Sequence, residues 1–254
     1  MFTEDEITAD AFLGGRLTIA QPRAGYRAAA DPVLLAAAVP ARAGQAVLEL
    51  GCGAGVASLC LGCRVTGLRL VGLELQPAYA ALARRNAAAN GQIFEVHEGD
   101  VAEMPAALKA RDFDHVIANP PYFGAASGTP ARDAGRETAQ REATPLGAWI
   151  EAGLRRLRPG GRITLIQSAE RLPEMLVALA PRAGSVTVLP VAPRTGRPAG
   201  RVILTARKGG RGAFRLLSPF VLHEGVAHLR DGDDYSPAAR AVLRHCGAMA
   251  GLAA

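Results

Sequence analysis

The chain has 254 residues, 49% of them apolar, a formal net charge of +6 and four cysteines. That length buries a substantial core; no apolar run reaches the roughly 18 residues of a membrane span, and the acidic start MFTEDEITAD lacks the pattern of a secretory signal, so a cytoplasmic protein without a membrane segment is expected. Cys52, Cys60, Cys63 and Cys246 form no disulfide framework, and Cys60-Leu-Gly-Cys63 has no second Cys or His pair nearby, so they read as small buried residues and no metal is expected.

In chain order, FLGGRLTIAQP (12–22) predicts a small hairpin, and Asp31-Pro32 predicts an apolar helix with an N-cap and a first-turn proline. From residue 46 short apolar runs alternate with Ala-rich helical stretches. Strands are predicted at 46–50, 68–74, 93–97, 113–118, 161–167, 185–191 and 201–206, with helices around 55–63, 77–89, 145–157 and 170–181. This alternation predicts a mostly parallel sheet covered on both faces. Only APRTGRPAG (192–200) separates the last two strands, too short for a crossover, so these form an antiparallel pair. Beyond them 214–222 reads as an extra strand, DGDDYS as a turn, and Ser236-Pro237 as the cap of a helix running to about Gly247. Residues 1–45 are expected to pack as a hairpin and helix on a core built from 46–254, one structural domain overall.

The loop Glu49-Leu-Gly51-Cys-Gly53-Ala-Gly55 lies between the first core strand and its helix, where glycines let the backbone turn sharply and approach a ligand. A dinucleotide fingerprint requires glycine at position 56, which is Val56 here. Glu74 ends the next strand, placed to accept from both ribose hydroxyls. Asp100, followed by Val101, ends the third, placed to accept from an adenine amine, and Glu49 directs negative charge at a cationic ligand. Three acids at the carboxyl ends of the strands would repel a diphosphate and fit S-adenosylmethionine, with its ribose, adenine, ammonium and sulfonium. Asp31 is a helix cap or a further contact to the methionine part.

The fourth strand delivers Asn119-Pro120-Pro121-Tyr122 to the same sheet edge. Neither proline has an N–H, and each biases the preceding residue to extended geometry. Two acceptors are thereby offered, the Asn119 side-chain oxygen and the Pro120 carbonyl. They suit an amine conjugated to a ring or carbonyl, a poor nucleophile that must be oriented with its lone pair toward the methyl. Tyr122 offers a flat face for stacking a base, and Phe123 is a pocket wall or a core residue.

VLELGCGAGV, GLELQP, GD and NPPYF, in this order, resemble the class I S-adenosylmethionine-dependent methyltransferases that modify exocyclic amines. GGRLTIAQPRAGYRAAADPVLLAAA, NPPYF and DYSP are similar, more narrowly, to the bacterial adenine-N6 methyltransferases acting on valine tRNA beside the anticodon. The resemblance runs from about residue 12 to 245. It implies a Rossmann-like α/β fold, a seven-stranded sheet with a terminal antiparallel hairpin and helices on both faces, with Asn119, Pro120 and Tyr122 catalytic and RNA, in particular tRNA, as partner. Release-factor glutamine methyltransferases share the Asn-Pro-Pro-Tyr motif but carry a large helical domain upstream, where this chain has 45 residues before its first core strand. Guanine-N2 methyltransferases of ribosomal RNA commonly resemble duplicated or longer chains. A noncatalytic RNA-binding module stands as the alternative from another class, to be distinguished by failure to bind S-adenosylmethionine. Basic charge is nearly all arginine, the only lysines being Lys109 and Lys208. Arg132, Arg136 and Arg141 after the motif are expected to touch phosphates, and Arg194, Arg197 and Arg201 between the last strands add to the charge that favours RNA; the alternative for both groups is an ordinary solvated loop. No feature speaks to assembly.

Overall fold

Two of the apolar runs, Ala46–Leu50 and Phe113–Ala118, are buried along their whole length, which requires cover on both faces of a sheet. The structure, a computed structural model, describes residues 2–122, 144–225 and 234–252. Its strands are β1 (Ile7–Phe12), β2 (Leu17–Pro22), β3 (Ala46–Leu50), β4 (Arg69–Glu74), β5 (Phe94–Glu98), β6 (Phe113–Ala118), β7 (Leu157–Ser168), β8 (Ala183–Ala192), β9 (Arg201–Lys208), β10 (Arg215–Leu216) and β11 (Phe220–Val221). The helices are α1 (Ala30–Ala38), α2 (Val56–Arg64), α3 (Pro77–Ala89), α4 (Ala106–Lys109), α5 (Leu146–Arg156), α6 (Leu172–Leu179) and α7 (Pro237–His245).

The large sheet runs β10-β8-β9-β7-β6-β3-β4-β5, parallel from β7 to β5, with β9 antiparallel to both β7 and β8. Alternate residues serve opposite faces: Val47 joins the core beneath α1, α2 and α3, while Leu48 joins the one formed with α5 and α6. The sheet has nine strands where seven were expected. The extra ones come from 214–222, which splits into β10 and β11, both pairing with β8 in parallel. Pro219, lacking an N–H, lies in the break between them.

Three boundaries depart from expectation for local reasons. The hairpin starts at Ile7, because ITADAF is only half-buried and shows little apolar signal; Phe12 ends its first strand, and the turn occupies Leu13–Gly15. A Cβ on Gly14 would stand 2.6 Å from the Arg244 carbonyl, so the turn rests directly on α7. β7 begins at Leu157 rather than residue 161; Phe113 pairs with Leu157 but His115 with Arg162, and Gly160 at φ 75° helps absorb the extra residues as a bulge. In α1 the N-cap is Ala29, and Asp31 lies inside the first turn without capping it. By contrast, Ser236 does cap α7, its Oγ accepting from the Ala239 N–H at 3.1 Å.

β2 is tied to the core by Asn86 of α3. The Asn86 side chain accepts from the Ala20 N–H at 2.8 Å and donates to the Ala20 and Ala54 carbonyls, joining the hairpin to the glycine loop. Among the described residues no helix is long and apolar enough to cross a membrane, and no group of three or more His, Cys, Asp or Glu side chains could hold a metal ion. The four cysteines are free thiols; Cys52 and Cys60 are buried, and Cys63 faces Cys246, whose thiol is pushed up to about 11 by burial and by Cys63.

Candidate active site

A cleft opens at the carboxyl ends of β3, β4, β5 and β6, lined by the glycine loop, Glu49, Glu74, Asp100, Val101 and Asn119, with Gln21, Tyr26, Tyr79 and Trp149 around them. Gly51, Gly53 and Gly55 all take positive φ, at 63°, 52° and 86°. Each meets a different neighbour. A Cβ on Gly51 would lie 2.6 Å from the Trp149 ring, and one on Gly55 3.1 Å from Phe94, whereas one on Gly53 would meet nothing within 4 Å. Gly53 therefore leaves its backbone bare toward the cleft.

Glu74 is buried, and its two oxygens accept from the Gly53 N–H at 2.8 Å and the Gln76 N–H at 2.9 Å. Each oxygen keeps a further lone pair, so the same carboxylate braces the glycine loop and can accept from a ligand. Burial raises its pKa, and those N–H bonds oppose the rise. Glu49 is more enclosed. Its Oε2 accepts from the Ser58 N–H and hydroxyl at the start of α2, while burial, with Glu74 adding repulsion, pushes its carboxyl up to about 8. Burial thus favours the protonated form of Glu49 in the chain alone, whereas an approaching cation would favour the carboxylate. Asp100 accepts from the Ala102 N–H at 2.8 Å through Oδ1. Val101 is buried at the cleft wall, and Leu75 is half exposed at its rim.

These residues fit S-adenosylmethionine. The open face of Gly53, spare carboxylate lone pairs on the strand ends, and an apolar rim from Leu75 and Val101 match a nucleoside with a cationic tail.

At the mouth, Asn119 Nδ2 donates to the Tyr26 hydroxyl at 3.3 Å, which turns its Oδ1 the other way. The Tyr122 oxygen lies 2.8 Å from that Oδ1 and 2.6 Å from Asp31 Oδ2. Asp31 is not among the cleft-lining residues; it sits beside the Asn-Pro-Pro-Tyr turn. The Arg201 guanidinium lies 4.2 Å over the Tyr122 ring, a cation–π contact. Buried Pro120 turns its carbonyl to Gln167 Nε2 at 3.3 Å, and the Pro121 carbonyl accepts from Gln167 and Arg171. Each carbonyl has two lone pairs, so the Gln167 bond positions the Pro120 oxygen without exhausting it.

Phe123, Arg132, Arg136 and Arg141 lie outside the described residues. Of the second arginine group only Arg197 stands exposed: Arg194 is tied to Asp234 and the Glu224 carbonyl, and Arg201 is committed to Tyr122 and Asp31. Sequence reasoning passed over Tyr26, Trp149 and Gln167. Only Gln167 had a readable signal, a polar residue closing an apolar strand beside the one that carries Asn119. Tyr26 and Trp149 come from segments far away in sequence, one before α1 and the other on α5.

Residues 30–188 match the family described as Methyltransferase small domain. Over 233 residues, covering 89% of both chains, the sequence is 30% identical to the tRNA1(Val) (adenine(37)-N6)-methyltransferase of Dickeya chrysanthemi. Among solved structures, a predicted O-methyltransferase from Agrobacterium tumefaciens superposes with a TM-score of 0.70 at 26% identity, covering 86% of this chain and 98% of that one. A T. thermophilus 16S rRNA N2 methyltransferase in complex with AdoMet and guanosine shares the fold, with a TM-score of 0.57 at 21% identity over 80% of this chain and 50% of that one.

Proposed function

The chain belongs to the methyltransferase small domain family, and we propose that it transfers a methyl group from S-adenosylmethionine to the N6 amine of an adenine in tRNA, the adenine-37 position of the valine tRNA for which its relative is named. The observation that carries this reading is Asn119, just after β6, lining the cleft with its Oδ1 turned away from Tyr26. On this reading the residues divide the work. Glu74 accepts from the ribose hydroxyls, Asp100 from the adenine amine, and Glu49 faces the cationic tail across the open backbone of Gly53. Bound S-adenosylmethionine supplies an electrophilic methyl group on a sulfonium.

Asn119 Oδ1 and the Pro120 carbonyl each accept one N–H of the substrate amine, aiming its lone pair and stabilising the positive charge that grows on nitrogen. Neither can take the proton, which leaves to water after transfer. This favours an amine over a hydroxyl acceptor, since a hydroxyl would need a base and a neutral amide is none. Tyr122 stacks on the base, and residues 1–45 belong to the same domain as the catalytic core, since Tyr26 and Asp31 complete the site.

Incubation with labelled S-adenosylmethionine and valine tRNA, followed by digestion to nucleosides, should yield N6-methyladenosine, and a transcript with guanosine in place of that adenine should take up no label. Label in N2-methylguanosine or in protein would overturn the substrate assignment.

A further inference from the structure

We infer that Asp31, held by Arg201, is a positioning residue that accepts the Tyr122 hydroxyl hydrogen bond and thereby leaves Asn119 Oδ1 free to accept the substrate amine. The inference rests on the amine-transfer reading of the Asn-Pro-Pro-Tyr turn. The Tyr122 oxygen is in hydrogen-bonding reach of two acceptors, Asp31 Oδ2 at 2.6 Å and Asn119 Oδ1 at 2.8 Å, but it has a single proton to give. A phenol left to choose the amide would occupy the lone pair that the reaction needs. A carboxylate is the stronger acceptor, by roughly twofold in hydrogen-bond strength, so Asp31 wins the hydrogen bond.

Arg201 reinforces the choice. Its Nε lies 3.3 Å from the same Asp31 Oδ2 while its guanidinium covers the Tyr122 ring, so one cation holds both the carboxylate and the phenol in place. Burial, with Asp31 next, raises the Tyr122 pKa, so the phenol keeps its proton at working pH. Asn119 Nδ2 donates to the Tyr26 hydroxyl at 3.3 Å, which keeps Oδ1 on the Tyr122 side. Asp31 is not needed by its helix: α1 is capped at Ala29 and takes no side-chain capping bond.

The test is a pair of substitutions read as a cycle. Asp31→Ala should lower single-turnover methyl transfer about tenfold or more, less than the roughly hundredfold for losing a group that itself touches the substrate, while calorimetric affinity for S-adenosylmethionine stays at the wild-type value. Adding Tyr122→Phe, which removes the competing donor and keeps the ring, should recover most of that loss. Asp31→Asn, which keeps an acceptor oxygen, should retain more activity than Asp31→Ala. Full transfer by Asp31→Ala, no recovery in the double variant, or S-adenosylmethionine affinity falling in step with turnover would each overturn the inference, the last by placing Asp31 on the cofactor. Failure of the substrate reading shows separately, in the nucleoside carrying the label, because guanine N2 would need the same free oxygen on Asn119.

Discussion

At the carboxyl ends of β3 and β4, Glu49 and Glu74 are buried beside a cleft; at the amino ends of β3 and β6, Asp114 is buried at the floor of an open depression lined by His115, Arg158, Arg162 and Arg207. Asp114 Oδ2 accepts from the Ala46 N–H at 2.8 Å, and Arg158 lies 2.6 Å from Oδ1. That carboxylate is a brace between neighbouring strands. Glu74 is a brace too, but Gly53, to which it bonds, presents no side chain, so its remaining lone pairs face space that a ligand can fill. The buried carboxylates at the two ends thus differ mainly in what lies beyond them: glycines at one end, arginines at the other. His115 makes the same point, since its Nε2 lies 3.1 Å from Gln45 Oε1, which accepts from the Arg42 N–H, and burial pushes its pKa down to about 4.

The comparison breaks most sharply at Asn119. Asn119→Ala should lower turnover about a hundredfold with S-adenosylmethionine affinity nearly unchanged, as when one preorganised group is lost from a transition-state site; stopped single-turnover assays beside calorimetry would show the split, and full methyl transfer would end the catalytic assignment. Next, the two braces should separate. Glu74→Ala should weaken S-adenosylmethionine about tenfold or more and also loosen the glycine loop, whereas Asp114→Ala should destabilise the fold by about 1–3 kcal/mol, the cost of stranding a buried N–H, and leave affinity alone. Denaturant melts paired with titrations would decide it, and equal affinity losses would erase the distinction between the ends.

Glu49 gives a pH signature. Its pKa is about 8 in the folded chain against an ordinary 4.5, so the stability it confers is full below 4.5 and is lost as pH rises through 8. Glu49→Gln should flatten that decline in melts taken from pH 5 to 9. In the wild type, S-adenosylmethionine affinity should rise toward pH 8 as the carboxyl ionises, and the same variant should remove that rise. An unchanged affinity profile would detach Glu49 from the cationic tail. His115 should show the opposite slope and the least effect on function. With a folded pKa near 4 against 6.5, its contribution is present above 6.5 and lost as pH falls through 4. His115→Gln should make acid melts shallower there and leave turnover at pH 7 unchanged.

Sequence by itself determined the sheet, because buried parallel strands must be continuous apolar runs and the crossovers between them must be helical. It also placed the glycines, Glu74, Asp100 and Asn119 at the ends of such runs, and the structure brings them to one cleft. Where chain signals were mixed it misled. ITADAF hid a strand because only one side of it is shielded, and Asp31 before Pro32 looked like a helix cap because local spacing cannot show what faces a side chain from afar. Only tertiary structure decided that Asp31 meets Tyr122, 91 residues on, and Arg201, 170 residues on. It likewise decided that Gln167 and Tyr26 orient the Asn-Pro-Pro-Tyr turn. Hydrogen-bond partners that distant are set by how strands and helices pack, and no local pattern of residue types encodes them.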